Sequence, residues 1–288
     1  MPYRLLSRLA LCLCFLLSLS CTRVDLAYRN LDVIVPWTLN DYLDMNRDQK
    51  SWFKQRLGEH LRWHCSTQLP AYLQWVQSLQ QDIAANRLDD TRLQALGDQA
   101  EQAIQQVAVE ITPSAVQLLQ GLDDNQVRAM GQAFDEDIQK HRDELVQLPL
   151  AQQVSERSER MEKRLKPWLG SLNDRQRQRI AAWSQSLGEQ NRLWIDNREQ
   201  WQKQMLAAVQ QRHAADFPER IARLLQHRQQ FWTPEYAEVS PRTEAAGRSL
   251  MLGVLADSTP AQRQLLQTRL DDLRDDFSQL ACMKNGST

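Results

Sequence analysis

An all-α fold, an elongated antiparallel bundle of long helices, is what this sequence predicts, and three observations carry the prediction. Glycine and proline supply only 9 and 10 of 288 residues, too few to punctuate many short strands. Apolar side chains recur at steps of three, four and seven along most of the chain, the spacing of one helical face. Finally, one grammar opens four of the apolar runs: Asn46 with Gln49, Asp123 with Gln126, Asn173 with Gln176, and Thr259 with Gln262. In each, the first side chain is placed to accept from the backbone amide three residues on. The glutamine is placed to reach back to the cap amide, so two orphan donors are satisfied at one helix start. Pro260 strengthens the fourth box, and Leu122 and Leu172 precede the second and third as hydrophobic staples.

The chain begins with Arg4 and Arg8, an apolar run from Leu9 to Leu19, and then Ser20-Cys21. This is the order of parts in a secretory signal, and the run is too short to span a bilayer as a helix. The end of the segment resembles a bacterial lipobox, with Ser18 where leucine is usual. That resemblance implies cleavage before Cys21 and lipidation of Cys21, and Thr22 in place of aspartate implies delivery to the outer membrane, on its periplasmic face. Residues 1–20 are therefore expected as a signal peptide, 21–45 as a lipid-anchored N-terminal segment and 46–288 as a helical domain. The apolar stretch from Leu26 to Trp37 is expected to pack on the domain rather than lie at the lipid surface, because few basic residues accompany it.

In the helical domain, Phe53, Leu57 and Leu61 form a first stripe, with a kink or break near Pro70 before Tyr72, Val76, Leu79 and Ile83. Asp90 opens a second with Leu93, Leu96, Ala100, Ile104, Val107 and Ile111, expected to end near Pro113. Val127, Met130, Phe134, Ile138, His141 and Leu145 follow the second box and stop around Pro149. The charged run from Ser155 to Lys166 reads as a solvated helix face. The third box opens the longest stripe, Ile180, Trp183, Leu187, Trp194, Trp201, Met205 and Ala208, which would put three indoles on one face as a core seam between helices. Phe217-Pro218 interrupts the chain, and Thr233-Pro234 with Ser240-Pro241 mark the main late loop. Leu265 to Leu280 close the fold. Gln49 and Gln176 are 127 residues apart, and Gln126 and Gln262 are 136 apart. That spacing would suit a duplication of 46–170 as 171–288.

Charge and chemistry narrow the function. With 35 basic and 36 acidic residues the precursor carries a net charge of −1, and no nucleic-acid partner is expected of a near-neutral, interspersed chain. Once Cys12 and Cys14 leave with the signal and Cys21 is acylated, Cys65 and Cys282 remain, and in an oxidising compartment they are expected as a disulfide. His60 and His64 share a helical face at a spacing that suits zinc, but histidines packed at a helix interface are the expected reading, with no metal and no cofactor. No phosphate loop or nucleophile elbow is visible, so no catalytic residue is assigned and an enzyme is not expected.

Two resemblances complete the reading. Cys21 to Tyr28, Asn30-Leu31-Asp32, Trp63-His64-Cys65, Leu69-Pro70 and the repeated boxes resemble a domain-of-unknown-function family of Gram-negative lipoproteins, which implies export and lipidation only. Leu-Asp-Asp-Asn-Gln at 122–126 and Leu-Asn-Asp-Arg-Gln at 172–176 are similar to the Leu-Thr-x-x-Gln motif of the Spy/CpxP periplasmic chaperones, although aspartate or asparagine replaces threonine in three of the four boxes. The implied role is a non-enzymatic, membrane-anchored protein that binds other proteins or unfolded clients. A structural adaptor for one envelope complex is the alternative, and an enzyme using His64 or His141 with buried carboxylates is the third.

Overall fold

The computed structural model describes residue 28 and residues 30–280. The signal segment, Cys21 and Cys282 lie outside these. The chain is an all-α helical bundle, with no strand among the described residues. Its helices are α1 (Leu31–Leu43), α2 (Arg47–Thr67), α3 (Leu69–Ala84), α4 (Asp90–Gln120), α5 (Asp124–Leu145) and α6 (Leu150–Leu169). They continue as α7 (Asp174–Ser186), α8 (Gln190–Gln210), α9 (Phe217–Gln226), a 3₁₀ turn (Arg228–Phe231), α10 (Pro234–Ala256) and α11 (Pro260–Gln279).

All four boxes start helices. Asn46, Asp123, Asn173 and Thr259 each accept from the amide three residues on, while Gln49, Gln126, Gln176 and Gln262 each accept from the cap amide through Oε1 at 2.9–3.0 Å. The residue seven places after each cap, Phe53, Met130, Ile180 and Leu266, then lies in or against a hydrophobic core. The local cap thus fixes which face of the new helix turns inward.

Two cores result, and each draws on both halves of the chain. The first gathers Leu43, Met45, Leu118, Leu122, Met130, Val209, Phe217 and Ile221 from α1, α4, α5, α8 and α9 and their joints. The second gathers Ile83, Leu169, Leu172, Ile180, Leu250, Val254 and Leu266 from α3, α6, α7, α10 and α11. Full burial of a side chain such as Phe217 or Ile180 contributes about 1.5–3 kcal/mol. A third cluster of Cys65, Leu69 and Leu280, with Tyr28, Tyr72 and Phe277 against it, ties both ends of the described chain to the corner between α2 and α3.

Several sequence expectations are corrected. The stripe from Ile180 to Ala208 is not one helix: α7 ends at Ser186, Gly188 adopts a left-handed φ of 50° and α8 begins at Gln190. A Cβ is disfavoured at such a φ, which makes Leu187-Gly188 a natural stop. Trp183 therefore packs on the second core and Trp201 on the first. Helix α4 does not end at Pro113 but runs through it to Gln120, and Ser240-Pro241 is no loop, because α10 contains Pro241. Proline removes one ladder hydrogen bond, and flanking packing carries the helix across that gap. The late break runs from His227 to Thr233 and contains the 3₁₀ turn, and Thr233-Pro234 ends it as expected, with Thr233 capping α10 and Pro234 in its first turn. Ile104, expected in the core, is 66 % exposed. In the charged run, Arg157 is buried rather than solvated.

Candidate functional site

The four box glutamines pair two by two. Gln126 Nε2 donates to Gln49 Oε1 at 2.8 Å and Gln49 Nε2 to Gln126 Oε1 at 3.2 Å. Gln262 Nε2 donates to Gln176 Oε1 at 3.0 Å and Gln176 Nε2 to Gln262 Oε1 at 3.3 Å. The remaining capacity of each amide goes to the end of the preceding helix across the pair. Gln49 donates to the Gly121 carbonyl at 2.8 Å, Gln126 to the Leu43 and Asp44 carbonyls, Gln176 to the Val254 carbonyl and Gln262 to the Ser171 carbonyl. Each Oε1 thus serves its own cap and its partner, and each Nε2 serves its partner and a helix C-terminus, which uses the full hydrogen-bonding capacity of the primary amide. Two helix starts and two helix ends are clasped at one point in each core.

Buried arginines extend this pattern. Arg212 donates through Nε to the Leu122 carbonyl at 2.8 Å and pairs with Asp124, while its hydrogen bond, and then its charge, holds the Asp124 carboxyl below the usual carboxylate range. Arg157 donates to the carbonyls of Ser184 at 2.7 Å and Gly188 at 3.1 Å, closing the end of α7 where the backbone turns left-handed. Burial, then the nearby Arg160 charge, lowers the Arg157 pKa.

Between α1, α5 and α8, Asp137 accepts from Arg198 Nε at 2.7 Å, Gln202 Nε2 at 2.9 Å and the Tyr42 hydroxyl at 3.2 Å. Burial alone pushes the Asp137 carboxyl up, but the hydrogen bonds from Arg198 and Gln202 and the Arg198 charge outweigh it and hold the pKa below its ordinary value. Burial, then the Asp137 charge, raises the Tyr42 pKa. His141 adjoins this group, with Nδ1 2.7 Å from the Asp137 carbonyl and its ring edge-on to Trp194.

His60 and His64 share α2 but face different partners. His60 Nδ1 lies 3.1 Å from Glu110 Oε1 and Nε2 2.8 Å from Ser114 Oγ, which ties α2 to α4. His64 sits between two phenols: Tyr28, which donates to the Leu61 carbonyl at 3.2 Å and lies 3.2 Å from Nδ1, and Tyr72, 3.4 Å from Nε2. A neutral ring donating from Nδ1 to Tyr28 and accepting from Tyr72 satisfies all three groups, and burial lowers the His64 pKa accordingly. Burial, reinforced by Tyr72, pushes the Tyr28 hydroxyl up to about 12. Among the described residues no group of three or more His, Cys, Asp or Glu could hold a metal ion.

An apolar surface stands outside the cores on α4, and it includes Ile104, which the sequence stripe had aligned with the core positions. Helix α4 is capped by Asp89, which accepts from the Arg92 amide at 2.7 Å, and is braced by Arg92 to Asp82 of α3 and Arg248 of α10 to Asp90. Its inner face buries Ala103, Thr112, Leu118 and Leu119. Ile104 and Val109 are left outward, with Gln102, Gln105 and Gln106 exposed beside them. A groove of about 450 Å³ runs on each side of this crest. Trp63 and Glu110 line the one toward α2, and Ile104, Leu225 and Arg228 the one toward α9 and the 3₁₀ turn. The one sequence signal for it was the glutamine triplet, which interrupts an otherwise aliphatic run.

No curated protein and no solved structure matches the chain. The model of a family of unknown function, DUF6279, matches residues 41–237, which takes in three of the four boxes, α4 and both grooves, and on that match the chain belongs to the DUF6279 family.

Proposed function

We propose that the chain is a lipid-anchored envelope protein, exported and acylated at Cys21, that binds other proteins along α4 without catalysing a reaction on them. The observation that carries this is the α4 crest: Ile104 and Val109 exposed on a helix tied to its neighbours, with a glutamine-lined groove on either side. Apolar side chains held outward and rimmed by neutral amides suit extended or partly folded chains. Such chains offer apolar side chains together with unpaired backbone donors and acceptors. The likeness of residues 122–126 and 172–176 to a periplasmic chaperone motif supports the same reading by analogy. The outer membrane, reached through the Cys21 lipid, is its proposed location.

The same reading joins Cys65 to Cys282. Cys65 is fully buried against Leu69 and Leu280, and Leu280 stands two residues before Cys282. The two clasps, each uniting one pair of boxes, support an origin of 46–170 and 171–288 by duplication, although the two halves now share both cores.

The test is aggregation of a denatured client, followed by light scattering, with stoichiometric protein lacking residues 1–21. The wild-type chain is expected to slow aggregation, and the double variant Ile104→Ser/Val109→Ser, altered only at exposed positions, to lose most of that effect. No suppression across several unrelated clients contradicts the proposal.

A further inference from the structure

Helix α1 is apolar on two faces. With about 100° between successive residues, Leu39, Tyr42 and Leu43 fall on one side and pack on the first core. Val33, Ile34 and Trp37 fall within an arc of about 100° on the opposite side and are 63 %, 47 % and 70 % exposed. The stretch expected to pack on the domain therefore does so through one side of α1 only, and an apolar helix face is normally buried.

We infer that the Val33, Ile34 and Trp37 face is a foot that lies in the interface of the phospholipid bilayer to which the chain is anchored. This rests on acylation of Cys21. Cys21 stands seven positions before Tyr28, so the lipid attachment can stand no more than about 25 Å from Tyr28. Tyr28 is itself held to the body through the Leu61 carbonyl and packs beside Tyr72. The exposed residues begin only five positions further on, so the anchor brings this side of the body to the membrane whatever path the intervening chain takes. Trp37 has the apolar body and polar N–H that favour the headgroup boundary. No helix among the described residues is long and apolar enough to cross a membrane, so the foot lies on the surface. The charged residues of α1 include the acidic Asp32 and Asp41 and no basic one. The contact is therefore apolar, and needs no anionic lipid. Its consequence is orientation: one side of the bundle faces the bilayer.

Tryptophan quenching by brominated acyl chains in phosphatidylethanolamine and phosphatidylglycerol vesicles tests this in two arms. One arm uses the mature chain carrying its native lipid. The other uses the chain from residue 22 with a hexahistidine tag at its N-terminus, held on nickel-chelating lipid, so that the foot is read whether or not Cys21 is acylated. In both arms the wild-type chain is expected to be quenched, and Trp37→Phe, a change at an exposed site, to remove at least half of the quenching. Salt at 0.5 M is expected to leave it unchanged. Equal quenching of wild type and Trp37→Phe, or no quenching in the nickel-tethered arm, overturns the foot. Absence of an acyl group in the first arm overturns only the lipidation reading.

Discussion

Gln176 and Gln262 hold each other through two reciprocal amide hydrogen bonds across 86 residues of chain, and Gln176 is fully buried in doing so. Replacing either by alanine strands the partner amide, a helix-cap N–H and a carbonyl at the end of another helix. Each single substitution is expected to cost about 2–4 kcal/mol. The double variant should fall short of the sum by about 1 kcal/mol or more, because the second change removes a group already stranded. The more exposed Gln49 is expected to cost less than Gln176. Urea unfolding of the four proteins in the cycle measures this, and additivity within about 0.3 kcal/mol would show that the pair does not act as a unit.

Arg157 donates to backbone carbonyls rather than to a carboxylate. Arg157→Ala is expected to destabilise by about 2–3 kcal/mol, since the Ser184 and Gly188 carbonyls lose charged donors inside the protein. Arg157→Lys should rescue little of that loss, because one ammonium cannot reproduce the two-pronged fork. A lysine variant of wild-type stability, by the same denaturant titration, would contradict this role.

Asp137 supplies a pH dependence of known sign. Its folded pKa lies below the ordinary value, so its contribution is present above the unfolded carboxylate range, near pH 4, and is lost as pH falls through the folded value. Unfolding free energy measured from pH 6 to pH 3 is expected to fall less steeply in Asp137→Asn than in wild type. At pH 6 the variant should be less stable by about 1.5–3 kcal/mol. Asp82, Asp124, Glu199, Asp216 and Asp257 are also depressed by arginine or lysine partners, and they keep some acid sensitivity in both proteins. Parallel pH profiles would remove Asp137 from the account.

For the proposed bridge between Cys65 and Cys282, denatured but unreduced protein is expected to show no reactive thiol. Reductant should lower the melting temperature, since a cross-link closing so long a loop contributes roughly 5 kcal/mol in the chain-entropy model. Two titratable thiols in the unreduced mature chain would end that proposal.

Legibility of the sequence followed the range of the forces involved. Helix starts could be read because a capping box is complete within four residues, and all four are present where Asn46, Asp123, Asn173 and Thr259 stand. What those boxes do to one another could not be read, because nothing local says that Gln49 finds Gln126 or that Gln176 finds Gln262. Periodicity misled where it ran across a stop. The three indoles kept helical spacing through Leu187-Gly188, yet the left-handed Gly188 sends Trp183 and Trp201 to different cores. Proline misled in the other direction, since Pro113 and Pro241 each remove one hydrogen bond from helices that packing holds together. Arg157 looked solvated because its partners are backbone carbonyls, which leave no trace in side-chain patterning. Ile104 continued the α4 stripe, yet it stands exposed in the groove toward α9 and the 3₁₀ turn.

Intact-mass analysis of the mature protein extracted from membranes addresses the central claim most directly, because the proposed compartment, the proposed Cys65–Cys282 bridge and the proposed bilayer contact of α1 all follow from the proposed anchor. The account predicts a chain beginning at Cys21 whose mass exceeds that of residues 21–288 by a diacylglycerol and an amide-linked acyl group. A mature chain with an unmodified amino terminus at any other residue would contradict it.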